Sequence, residues 1–148
     1  NLGSALQESG DLPAAVDQYR RALMLQPDYP AALLNLGQVQ RAQGADAAAE
    51  DLYRRALRLT PERAEIHASL GKLFFARGQY DSAAARFRQA IAIAPQSAEG
   101  YNSLGTALAM QGHYREAANY FRRALAIDPD YTRARVNLDR ARAGQGVF

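Results

Sequence analysis

AEGYNSLGTALAMQGHYREAANYFRRALAIDPDY, Ala98–Tyr131, is the stretch that decides the fold. Moved back 34 residues at a time, it finds itself again without a gap. Gly105 falls on Gly71, Gly37 and Gly3, and Gly112 falls on Gly78, Gly44 and Gly10. Ala117 falls on Ala83, Ala49 and Ala15; Ala124 falls on Ala90, Ala56 and Ala22. Phe121 shares a column with Phe87, Tyr53 and Tyr19, and Pro129 with Pro95, Pro61 and Pro27. So many columns in one register mark an internal repeat, and that reading precedes any other.

Each unit reads as two helices. The first runs up to the glycine of the Gly112 column, a residue type suited to the left-handed conformation beyond a helix end. In the first unit Asp11 follows as an N-cap, and Pro13 fits the first turn of the next helix. That helix carries Leu12, Ala15, Val16, Tyr19, Ala22 and Leu23 at helical spacing and stops before Pro27. Two helices of about 14 residues and two short turns fill the unit. The Gly3 column is expected to face the Ala15 and Ala22 columns, where an added side chain would overpack the pair at about 1–3 kcal/mol. The aromatic column is then expected to fill the space between units. Gln40 and Asp46 depart from their columns and predict looser packing in the second unit.

The phase sets the boundaries: a truncated unit over 1–29, then 30–63, 64–97 and 98–131. Asn137 and Leu138 keep the phase, but Asp139 stands where glycine is due and no second helix follows. Arg133, Arg135, Arg140 and Arg142 make this segment polar on one side. Residues 132–143 therefore read as a capping helix for an open end, and 144–148 as a loose tail. Starting at Asn1, inside a motif, predicts a piece of a longer protein, so the lack of a targeting segment says nothing of compartment.

Composition narrows the chemistry. Of 148 residues 48% are hydrophobic, too many for a disordered chain. No apolar run approaches the ~18 residues of a membrane helix. There is no cysteine, which removes disulfides, thiolate metal sites and cysteine nucleophiles. A cysteine-free chain fits reducing and oxidising spaces alike; the cytoplasm is favoured. The net charge is only +3, and Lys72 is the single lysine. His67 lies in the bulky packing column of Leu33 and Tyr101, and His113 lies at a turn beside Gly112. Neither has metal-ligand or catalytic company, so no enzyme and no cofactor are expected. Arginines recur at Arg20, Arg21, Arg54, Arg55, Arg88, Arg122 and Arg123. Asp17, Glu50, Asp51 and Glu116 dilute them and no exposed aromatics interleave, so they read as a solvated face and not as a nucleic-acid or membrane surface.

His67, Leu70, Gly71, Phe74, Ala83, Phe87 and Pro95, and again Tyr101, Leu104, Gly105, Leu108, Ala117, Phe121 and Pro129, resemble the tetratricopeptide repeat. The resemblance covers residues 1 to about 143. It implies an all-α, right-handed solenoid of antiparallel helix pairs. Its concave groove is lined by first helices and commonly holds an extended peptide. Helical spacing from the Asn1 column gives that face. The column itself reads Asn1, Asn35, Ser69, Ser103 and Asn137. Three later come Ser4, Gln38, Lys72, Thr106 and Arg140; four earlier, Ala31, Glu65, Glu99 and Arg133; seven later, Glu8, Ala42, Ala76 and Met110. Leu34, Phe75 and Asn102 lie near, and Phe75 with Met110 forms one apolar spot.

The candidate groove residues are thus Asn35, Gln38, Ser69, Lys72, Phe75, Asn102, Ser103, Thr106, Met110 and Asn137. An amide and hydroxyl row can bond a peptide backbone without reading its side chains. This is similar to the asparagine row of the O-linked N-acetylglucosamine transferases, though Ser69 and Ser103 interrupt it. The plainer reading, that these side chains only cap or solvate, stays open. A carboxylate clamp of the kind that holds chaperone C-termini is excluded, because Glu65 and Glu99 stand where its cations belong. Three functions remain: a protein-interaction module for a peptide or partner segment, the substrate-recruiting arm of a larger enzyme such as a glycosyltransferase, and a scaffold that self-associates through its N-terminal end.

Overall fold

The computed structural model describes residues 12–144. Eight helices occupy them: α1 (Leu12–Leu25), α2 (Pro30–Ala42), α3 (Asp46–Leu59), α4 (Ala64–Ala76), α5 (Tyr80–Ile93), α6 (Ala98–Met110), α7 (Tyr114–Ile127) and α8 (Thr132–Arg142). No strand occurs among the described residues. Connections of three or four residues join successive helices, and the pairs packed within each unit are antiparallel neighbours. The chain divides into two compact units, Asn1–Ser69 and Leu70–Phe148, with the boundary inside α4. In the first unit α2 packs on α1 and α3. In the second, α6 packs on α5 and α7, while α8 packs on α7 and reaches α6.

The tight turns follow from glycine. Gly44, Gly78 and Gly112 have φ of 79°, 72° and 84°. Each closes the preceding helix with the same pair of bonds: Gly112 N–H donates to Ala109 O at 2.9 Å, and His113 N–H to Leu108 O at 2.9 Å. Ala45, Gln79 and His113 then start the next helices without any side-chain cap. Ser97 does cap α6, its Oγ accepting from Gly100 N–H at 3.0 Å. Gly10 and Asp11 lie outside the described residues. A Cβ at Gly112 would meet nothing within 4 Å, so Gly112→Ala carries a backbone penalty alone. It should lower stability by about 1–2 kcal/mol in urea denaturation.

The core corrects two expectations. Ala49, Ala83 and Ala117 are fully buried, as the columns predict. The glycines, however, meet the aromatic column first. A Cβ built on Gly37 would stand 2.5 Å from Tyr53 Cε1, one on Gly71 2.6 Å from Phe87 Cε1, and one on Gly105 2.6 Å from Phe121 Cε1. The aromatic ring thus packs on the glycine of its own helix pair, and Phe87 also reaches the next repeat as expected, lining a cavity with Asn102, Ser103 and Thr106. The ring's width takes the room that a side chain on the facing helix would need, so that helix presents bare backbone. The same contact answers the second expectation: α2 and α3 pack as closely as α6 and α7. Gln40 and Asp46 are half-buried and do not loosen them, because Gly37 on Tyr53 keeps the pair shut. Asp139, in the place of glycine on α8, is exposed and lies 3.8 Å from Arg142.

Candidate functional site

Spacing of three and four residues puts Lys72 and Phe75 on one face of α4, and Asn102, Ser103 and Thr106 on one face of α6. In the second unit these five, with Phe87 of α5 beneath, line an open cavity of about 200 Å³. Phe75 is held edge-on by Tyr80, with ring centroids 5.3 Å apart at 62°. Lys72 Nζ reaches across to Glu99 Oε1 at 2.6 Å. Both side chains are about half exposed, so the pair orients Lys72 more than it stabilises the fold.

Asn137 on α8 completes the polar row. Its Nδ2 donates to Asn102 Oδ1 at 3.0 Å and, at 3.4 Å, to Thr106 Oγ1. Thr106 Oγ1 in turn donates to Asn102 O at 2.9 Å. The row is therefore a ladder that ties α6 to α8 as well as a polar surface. Asn137→Ala should cost about 1 kcal/mol in chemical denaturation, since it strips a donor from the nearly buried Asn102 amide.

The other candidates fall elsewhere. Asn35 and Gln38 are half-buried on α2, in the first unit. Ser69 is buried on α4 in that unit, in the neighbourhood of the Tyr53 hydroxyl. That hydroxyl is itself buried, with Arg41 and Ser69 close by but neither in the geometry of a well-formed hydrogen bond. Burial pushes the Tyr53 phenol up, against the opposing pull of Arg41 and Ser69; Asp46 adds to the rise. Met110 is half-buried and is not among the cavity walls. Leu34 belongs to the core at 1% exposure, so it lies off any open face. Asn1, Ser4 and Glu8 lie outside the described residues.

His67 is buried, with Nε2 2.9 Å from Pro61 O, and His113 is exposed at the start of α7; packing and turn are their roles here. Glu65 pairs with Arg63 at 2.8 Å. The arginines engage their own surroundings: Arg54 with Glu50 at 2.6 Å, Arg88 with Glu116 at 3.6 Å, Arg55 on Pro27 O at 3.1 Å. Arg123 sits 5.2 Å over the Tyr101 ring. Among the described residues no three His, Cys, Asp or Glu gather as a metal site, and no helix is long and apolar enough to cross a membrane.

Comparison with known proteins agrees with this geometry. Tetratricopeptide-repeat family profiles match residues 1–64, 71–112 and 98–131. No curated protein matches the chain by sequence. Among solved structures, a crystal structure of MamA is similar at TM-score 0.87 and 24% identity, over 97% of this chain and 84% of that one. YrrB, described as a TPR protein with an unusual peptide-binding site, is similar at TM-score 0.80 and 24% identity, over 97% and 74%. An O-GlcNAc transferase of Thermobaculum terrenum is similar at TM-score 0.71 and 31% identity, over 76% of this chain but 22% of that one. Helices without strands among the described residues, the 34-residue beat, the glycine–aromatic contact inside each described helix pair and these matches together place the chain in the tetratricopeptide-repeat family.

Proposed function

We propose that the chain is a non-catalytic protein-interaction module whose second unit binds an extended segment of a partner protein across α4, α6 and α8. The open cavity between Lys72, Phe75, Asn102, Ser103 and Thr106 carries this reading. It joins apolar rings to amide and hydroxyl groups, the mixture that a peptide's side chains and backbone require. Affinity for one short peptide will be modest, because ordering it costs free energy. The test is to pan a phage library of random decapeptides against the chain and measure the winners on Thr106→Arg, which fills the cavity from its polar wall. Enriched peptides should bind the chain and lose most affinity for the variant. No enrichment, or winners indifferent to the variant, would overturn the reading.

The likeness to O-GlcNAc transferase favours a second reading, in which the same surface recruits substrates for a catalytic domain elsewhere in a longer protein. Coding sequence flanking the chain that encodes such a domain would support it; flanks without one would remove it.

A further inference from the structure

The pocket residues can be set against those 34 positions earlier. Lys72, Phe75, Phe87, Asn102, Ser103 and Thr106 correspond to Gln38, Arg41, Tyr53, Ala68, Ser69 and Lys72. Two differences matter. Tyr53 carries a hydroxyl that is buried in the neighbourhood of Ser69 and Arg41, whereas Phe87 ends in a bare ring facing the cavity beside Ser103. Arg41 brings a guanidinium to that neighbourhood; Phe75 brings a second ring. The rings of Tyr53 and Phe87 sit alike on their glycines, so the missing hydroxyl leaves space and not a shifted ring. Phe87 lines an opening of about 200 Å³ with apolar walls and a polar rim. A water occupies about 30 Å³ in the liquid, so the opening holds several waters or one aliphatic side chain. Waters between two rings gain few hydrogen bonds, and an aliphatic group that displaces them is favoured.

Charge selects what flanks that side chain. At the rim Lys72 is balanced by Glu99. On α8, Arg133 lies about one turn before Asn137 and Arg140 about one turn after it, along the helix face that Asn137 shares. Asn137 itself touches the Asn102 and Thr106 walls. The α8 side of the cavity is therefore positive.

Resting on the reading that the second unit binds an extended segment, we propose that the Phe87 cavity is a side-chain pocket for one aliphatic residue of a partner segment that carries acidic residues on its α8 side. Phenylalanine at 87, where tyrosine stands at 53, is the residue that opens the pocket and sets this specificity.

The decapeptides selected above supply the probes. Their sequences should share one Leu, Ile, Val or Met with Asp or Glu to one side. For a synthetic winner followed by fluorescence anisotropy, replacing that aliphatic residue by Ala, or the acids by Lys, should weaken binding at least about tenfold, a difference of about 1.4 kcal/mol. Phe87→Tyr should weaken it similarly while leaving thermal unfolding nearly unchanged, because the added hydroxyl would enter an open cavity where water can bond it. Arg133→Glu with Arg140→Glu should remove the preference for acids. Winners lost on Thr106→Arg yet lacking the shared aliphatic residue, or unaffected by Phe87→Tyr, would overturn the pocket and leave the interaction surface standing. Winners indifferent to Thr106→Arg would overturn both.

Discussion

Phe121→Ala will lower the chain's stability by about 3–5 kcal/mol, the range for emptying a fully buried aromatic site. Phe121 is at 0% exposure among Leu104, Leu108, Ala117 and Leu138. Its ring edge lies where a Cβ on Gly105 would go. The decisive measurement is the pair. In the natural chain Gly105→Ala should cost about 1–3 kcal/mol, because the new methyl group and the ring cannot share the site. With Phe121 already alanine the clash is gone, and the same change should be neutral or stabilising, since alanine in a helix interior is worth about 1 kcal/mol over glycine. Urea denaturation of the four proteins gives the coupling, expected at about 1–4 kcal/mol. Strict additivity would mean that the glycine column is not kept for the ring.

That contact also shows what the sequence could and could not tell. Columns spaced by 34 reveal which positions recur and which are apolar, small or turn-forming. They locate the helices within a residue or two, and they locate Gly44, Gly78 and Gly112 as left-handed turns because backbone geometry there depends on the residue itself. They do not say which column touches which. Glycine against aromatic was missed for that reason: either arrangement leaves the same letters. Ser97 as a cap could have been read from its place just ahead of α6, since serine is a favoured residue there. The surface was legible in part. Helical spacing brought Lys72, Phe75, Asn102, Ser103, Thr106 and Asn137 to one face, but the bonds among Asn137, Asn102 and Thr106 depend on how α8 seats on α6. Leu34 was expected near the open face and is buried in the core instead, because a spacing argument gives a direction on one helix and not the depth of the neighbouring one. Tyr53 and Phe87 looked alike as letters in an aromatic column. Only the structure shows that the Tyr53 hydroxyl is buried while the Phe87 ring lines an opening.

Tyr53→Phe should therefore stabilise the chain, by about 1 kcal/mol and at most about 3, because it removes a buried donor that has no hydrogen-bond partner. The ring contact with Gly37 is kept, and phenylalanine is the residue that Phe87 and Phe121 already use against Gly71 and Gly105. A pH series tests the same cause separately. The phenol's folded pKa is raised above its ordinary value of 10.0, with burial as the main reason. The folded state thus holds the proton more tightly than the unfolded state does. Stability linked to this group is complete below pH 10 and is lost as the pH rises from there toward the folded pKa. Tyr53→Phe should remove that portion of the alkaline loss, so the two proteins' urea midpoints should diverge further above pH 10. A variant that is less stable at neutral pH would show that the hydroxyl has a stabilising partner and that the tyrosine is a structural link to Arg41 or Ser69. A variant more stable at neutral pH, with the gap widening in alkali, would establish the hydroxyl as an unmet polar group closed inside the first unit.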